Sequence, residues 1–87
     1  MSIPKNINEV ATTTEEIYEF FFNHILLMAN DDETNDLIIN LNHPISEGNY
    51  YVLKPTEVLR DLPFKGRKIY VKSSNGQVNF RFYSMVK

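Results

Sequence analysis

The stretch Thr13-Thr14-Glu15-Glu16-Ile17-Tyr18-Glu19-Phe20-Phe21-Phe22-Asn23-His24-Ile25-Leu26-Leu27-Met28-Ala29 decides how the rest of the chain is read. Thr13 and Glu16 stand at the spacing of a capping box, and Thr12 with Glu15 offers the same arrangement one residue earlier. Acids in a first turn suit the positive end of a helix dipole. Ile17, Phe20, Phe21, Ile25 and Met28 then recur at helical spacing, with no Gly or Pro before Asn30-Asp31-Asp32. The spacing predicts a helix over residues 13–29.

That helix carries a surplus. At about 100° per residue from Ile17, the apolar arc begins with Leu27 and Phe20 near 280–300°. It passes through Met28, Phe21, Ile25 and Tyr18 and ends with Phe22 and Leu26 near 140–180°. Glu15, Glu16, Glu19, Asn23 and Asn30 take what is left. A surface helix needs an apolar stripe of about 100° or somewhat more, so one sheet face leaves Phe22 and Leu26 without cover. Burying each stabilises by roughly 1.5–3 kcal/mol, which argues that something covers them. The candidates are the N-terminal arm, a second copy of the chain, and another protein. His24 falls near 340°, among the apolar residues. It reads as a core histidine bonded to backbone, or one at a helix end, rather than a catalytic group.

Outward from the helix, residues 1–12 read as an arm, with Asn6-Ile7-Asn8-Glu9 spaced for a short capped turn carrying Ile7 and Val10. On the other side, Leu37, Ile39 and Leu41 alternate onto one face. A turn cluster at 43–48 leads into a returning strand at 49–54. Residues 55–63 fit either one helical turn or an extended crossover. Asn75-Gly76 is the preferred pair for a type I′ hairpin turn. Setting Ser74 opposite Gln77 places Val71 against Phe80 and Ile69 against Phe82 on the core side. The assembled expectation is an α+β single domain. One main helix packs on a four-stranded antiparallel sheet of two sequential hairpins spanning 37–87, with a short N-terminal arm.

Charge is divided along the chain. Residues 1–47 hold nine acids against Lys5, while residues 48–87 hold eight bases against Glu57 and Asp61. The net charge is −2, and the 87 residues contain no cysteine. A disulfide scaffold, a thiolate metal site and a Cys nucleophile are thereby excluded. No apolar run approaches the roughly 20 residues of a membrane helix. Met1-Ser2-Ile3-Pro4-Lys5-Asn6 shows no basic region followed by an apolar stretch, so a cytoplasmic protein is expected.

Catalytic material is scarce. There is no Gly-rich phosphate loop and no nucleophile elbow, and His24 and His43 are not at metal-ligand spacing. The run Asp31-Asp32-Glu33-Thr34-Asn35-Asp36 lacks the central Gly of a calcium loop, and Asn42 stands where its twelfth-position Glu belongs. The expectation is a non-enzymatic protein with no metal or cofactor. Its leading candidate surface is the acid-rimmed apolar helix edge: Glu15, Glu19, Phe22 and Leu26, with Asp31, Asp32, Glu33 and Asp36 at the helix end. Apolar anchors in a negative field suit a basic groove, such as the DNA-binding cleft of another protein, with carboxylates in place of phosphates. The alternative is a single-stranded nucleic-acid surface on the outer face of the last hairpin, from Lys68, Tyr70, Lys72, Arg81 and Tyr83. Homodimerisation through the helix is compatible with either.

The order of a short N-terminal segment, a helix and antiparallel strands resembles the small phage-encoded uracil-DNA glycosylase inhibitors. So do Asn35-Asp36-Leu37-Ile38-Ile39 after an acidic loop and the closing Ser74-Asn75-Gly76 turn. The resemblance covers residues 14–85 by layout. It departs in the basic C-terminal half and in lacking the Glu-Ser-Ile edge segment which that family inserts into its target. Size, absence of cysteine and Asn/Ile/Lys-rich usage look like phage host-takeover or counter-defence proteins. The resemblance implies an inhibitor that binds a DNA-processing or defence protein.

Overall fold

A computed structural model describes residues 3–87. Eight strands follow in chain order: β1 (Ile3–Ala11), β2 (Glu16–Phe22), β3 (His24–Asn30), β4 (Leu37–Leu41), β5 (Tyr51–Leu53), β6 (Val58–Leu62), β7 (Gly66–Ser73) and β8 (Val78–Val86). The only helical element among the described residues is a 3-10 turn at Ile45–Glu47. The strands form two four-stranded antiparallel sheets, a first in the order β1-β8-β3-β6 and a second in the order β2-β7-β4-β5. The protein is an all-β sandwich, and the expected α+β fold is wrong.

The expected helix at 13–29 is instead β2 and β3, joined through Asn23, with each strand in a different sheet. Ile17, Tyr18, Phe20, Phe21, Phe22 and Ile25 are residue types that fit a pleated, half-buried surface. Along β2 the alternation is regular: Tyr18, Phe20 and Phe22 turn to the core, while Ile17 and Phe21 are exposed. A two-residue repeat plotted at a helical angle scatters apolar side chains around the whole wheel, and the over-wide arc was that scatter. The Thr13–Glu16 box caps no helix. Thr12 accepts from the Thr14 amide through Oγ1 (3.2 Å) and from the Ser73 amide through its carbonyl (2.7 Å), which shapes the turn between β1 and β2. At the corner, Asn23 donates Nδ2–H to the Lys87 carbonyl (3.3 Å) and accepts from the Lys87 amide (2.8 Å), fastening the end of the chain.

The residues expected to form an N-terminal arm are a strand from Ile3 onward, with Met1 and Ser2 outside the described residues. β1 pairs with β8 as an edge of the first sheet, with Ile7 opposite Phe82. Its Ile7 and Ala11 belong to the core, so the arm is a wall of the sandwich. The β4–β5 hairpin is present, with Leu37 opposite Leu53 and Ile39 opposite Tyr51. Of residues 55–63, Pro55 and Thr56 make a tight turn closed by the Glu57 amide donating to the Lys54 carbonyl (2.9 Å), and Val58–Leu62 are extended as β6.

The last expected hairpin is absent. β7 pairs with β2 and β4, whereas β8 pairs with β1 and β3. Residues 74–77 arch from one sheet to the other. Ile69, Val71, Phe80 and Phe82 are all buried as expected, because alternation fixes which side chains face the core. It does not fix which strand lies alongside. A type I′ turn needs positive φ at both Asn75 and Gly76, and here only Gly76 has it (φ 63°). The arch is held by Ser73 Oγ donating to the Gly76 carbonyl (2.6 Å) and by reciprocal bonds between Ser74 and Asp36.

The core joins both sheets. Phe22 meets Phe82 at 5.5 Å between ring centres, Tyr18 meets Phe80 at 6.2 Å, and Phe20 meets Phe82 at 6.3 Å. Gly66, paired with Phe22, leaves room for the ring: a Cβ there would stand 2.4 Å from Phe22 Cζ.

Candidate functional site

The residues expected at a helix edge are dispersed. Phe22 has no exposed surface and is core. Leu26 sits where β3 slips register against β8, a bulge that leaves it 39% exposed on the first sheet. Glu15 and Glu19 belong to the second sheet's side, and Glu15 Oε1 accepts from the Ile45 amide (3.1 Å). The acidic run at 31–36 is largely engaged within the protein. Asp31 receives two hydrogen bonds from Arg81 (2.8 and 2.9 Å), and Asp36 lies 3.4 Å from Lys54 Nζ. Asp32 accepts from the amides of Asn35 (2.7 Å) and Thr34 (3.1 Å), and these bonds hold its carboxyl below the ordinary carboxylate range. Glu33 is exposed. No group of acids or histidines among the described residues is arranged to hold a metal ion.

The expected nucleic-acid face is divided between the two sides of the sandwich. Lys68, Tyr70 and Lys72 lie on the second sheet, Arg81 and Tyr83 on the first. Arg81 is held by Asp31, which also raises its pKa, and Tyr83 donates its hydroxyl to Asn8 Oδ1 (3.0 Å). Tyr70 is buried rather than outward and free, because the 42–49 loop folds back over this part of the sheet. Asn40, beside Tyr70, donates Nδ2–H to the carbonyls of Pro44 (3.0 Å) and Gly48 (3.1 Å), and Glu15 pins Ile45 from the far side. The loop is therefore fastened over the sheet at Tyr70, the residue between Lys68 and Lys72 on this face of β7.

Below that loop the second sheet has a different character. β2 ends and β7 begins here, and a shallow cleft of about 410 Å³ is lined by Phe21, Asn42, Lys65, Gly66, Arg67 and Lys68. Phe21 is 39% exposed, with Lys65 Nζ 6.0 Å and Arg67 Cζ 5.8 Å from its ring centre. Lys68 Nζ lies 3.8 Å from Glu19 Oε1, whereas neither Lys65 nor Arg67 pairs with a carboxylate among the described residues. Asn42, in the left-handed region (φ 69°), sets this geometry. Its Nδ2 donates to the Lys65 carbonyl (3.3 Å), its Oδ1 accepts from the Arg67 amide (2.8 Å), and its own amide donates to the Lys68 carbonyl (2.8 Å). One residue thus fixes, through its side chain and its main-chain amide, the backbone that carries three cations.

Phe21, Asn42, Lys65 and Arg67 were not picked out from the sequence. Lys65-Gly66-Arg67-Lys68 is the densest basic run in the chain, and that was the available signal. Pairing it with Phe21 required knowing that β2 and β7 are neighbours.

His24 is buried and its Nε2 lies 2.6 Å from Asp61 Oδ1, a carboxylate partner rather than the expected backbone one. Tyr18 donates its hydroxyl to Glu16 Oε2 (3.1 Å), and its pKa is pushed up to about 12, first by burial and then by that acid. No helix among the described residues is long and apolar enough to cross a membrane. Comparison with protein-family models, with curated proteins and with solved structures finds no match to this chain, so the reading of the site rests on its own geometry.

Proposed function

We propose that the chain is a non-enzymatic protein-interaction domain that takes an extended segment of another protein along β2. The observation that carries this reading is the outer side of that strand. β2 is an edge of its sheet and presents Ile17 (54% exposed) and Phe21 (39% exposed) on either side of Glu19. An edge strand offers unpaired main-chain groups, and apolar side chains beside them add affinity and register. The acids choose the partner. Two copies paired antiparallel about Glu19 would set Ile17 against Phe21 but also Glu19 against Glu19, and like charges directly opposite are destabilising. A segment with Lys or Arg at that position meets no such penalty. This surface shares only Glu19 and, just before the strand, Glu15 with the acid-rimmed helix edge expected from the sequence; Glu16 adds a further acid on β2. The helical layout behind the inhibitor resemblance is absent among the described residues. The working compartment is the cytoplasm, where a chain without cysteine loses nothing.

The test is capture with the whole chain, followed by amide exchange on the purified complex. A true partner slows exchange across residues 16–22. Ile17→Asp and Glu19→Lys each weaken it by about 10-fold or more, since mismatched charge at an interface costs several kcal/mol. A partner held equally by both variants, with β2 amides unprotected, refutes the reading.

A further inference from the structure

We infer that the cleft at the start of β7 is a subsite for single-stranded nucleic acid, in which a base stacks on Phe21 while Lys65, Arg67 and Lys68 take the adjoining phosphates. This goes beyond the proposal for β2 and does not depend on it. The chemistry is that of a sequence-tolerant single-strand site: an aromatic face for the base, and cations placed to neutralise the backbone around it. Phe21 supplies the exposed ring, and the two cations nearest it have no carboxylate partner among the described residues. They lie 6.0 and 5.8 Å from the ring centre with their side chains exposed, within reach of the phosphates that flank a stacked base. Glu19 faces the same region and offsets one of the three charges through Lys68.

An acidic peptide is the competing occupant, and the main chain argues against it. Peptides bind at sheets largely through main-chain hydrogen bonds. Within the cleft the Lys65 carbonyl, the Arg67 amide and the Lys68 carbonyl all have partners on Asn42. What remains open to a ligand is ring and charge, which a nucleotide uses and an extended peptide does not need. The loop over Tyr70 also limits the site. It separates Lys72 from Lys68, so the subsite is one or two nucleotides wide rather than a groove along the strand.

The experiment is fluorescence anisotropy of the full chain with labelled oligothymidylate and oligouridylate of about 15 nucleotides. Binding is expected to weaken with salt, with a log–log slope of about −2 for three phosphate contacts on a single strand. Phe21→Ala should weaken it by about 5- to 150-fold, the worth of one stacked base, while the protein still unfolds cooperatively with a midpoint lowered by no more than about 8 °C. Arg67→Glu should abolish it, whereas Arg81→Ala, on the opposite sheet, should leave it intact. Absence of binding at low salt overturns the inference, as does a loss on Arg81→Ala equal to that on Arg67→Glu. Full displacement by poly-glutamate together with indifference to Phe21→Ala assigns the cleft to an acidic peptide and equally overturns it.

Discussion

Strand β2 turns two aromatic faces to two different surroundings. Inward, Tyr18, Phe20 and Phe22 meet Phe80 and Phe82 from the other sheet, with ring centres 5.5–6.3 Å apart. Outward, Ile17 and Phe21 have no facing sheet, and the ring of Phe21 is bordered by cations. The outer face of the first sheet is a useful third case. It too is polar, yet Arg81 is matched to Asp31, Tyr83 to Asn8 and His24 to Asp61. Exposure alone therefore marks nothing. What distinguishes the Phe21 cleft is that its ring and two of its cations are left over after the protein has made its own internal pairs.

The sharpest way to break this contrast is to truncate neighbouring residues on opposite faces. Phe22→Ala should cost about 3–5 kcal/mol, typical of a large aromatic lost from a core. That is a large share of the roughly 5–15 kcal/mol that holds a small domain together. Urea unfolding measures it, and a loss below about 1 kcal/mol would mean that Phe22 is not core. Gly66→Ala comes next. Its methyl would stand 2.4 Å from Phe22 Cζ and 3.0 Å from Cε1 and Cε2, so one of the two strands must shift. Overpacking of this kind costs about 1–3 kcal/mol. Combined with Phe22→Leu, the two losses should sum to more than the double variant shows, because the shorter side chain relieves the clash and the added methyl fills part of the space the ring leaves. Strict additivity would place the ring elsewhere.

The same strand shows how far the sequence could be read. Which residues enter the core was legible wherever alternation was short and clean, as at Leu37, Ile39, Leu41, Ile69, Val71, Phe80 and Phe82. Which strand lies beside which was legible only for β4 and β5, joined through a local turn. It failed for β7 and β8, because an arch between facing sheets buries the same side chains as a hairpin and differs only in partners. In residues 13–29, two alternating runs meet at Asn23, and Leu26 bulges out of the second. Those two interruptions shift the phase of the alternation and leave apolar residues near helical spacing. The warning was physical: an apolar arc too wide for one surface, beneath a run of β-branched and aromatic residues. The candidate site was half legible. Its basic run stood in plain view, but its aromatic partner lies more than forty residues away in sequence.

Alkaline pH probes the inner face with a smaller effect. Tyr18 titrates near 12 in the folded protein against about 10 unfolded. The unfolded chain releases this proton first, so the stability that depends on it is complete below pH 10 and is lost as pH rises from 10 through 12. Tyr18→Phe removes the group that titrates. The decline of the urea midpoint between about pH 9 and about pH 11.5 should be shallower in Tyr18→Phe than in the native chain. Lysines titrate in the same range, so the difference between the two proteins carries the information. Identical slopes would show that the hydroxyl is not held in the partly buried site beside Glu16.

The smallest expected change is also the most diagnostic of the comparison. Phe21→Ser, one residue from Phe22, removes a ring that is two-fifths exposed and lies beside exposed cationic side chains. Its stability cost should stay within about 0.5–1 kcal/mol, the range of surface substitutions and of an exposed cation–π contact. A loss that small would mean that a ring this large, kept outward beside charges, is retained for something other than stability. If Phe21→Ser instead destabilises by more than about 2 kcal/mol, the outer ring is structural, close in effect to losing a core side chain. Aromatic side chains would then line both faces of β2 for the same reason, and the cleft would be a seam in the packing rather than a site.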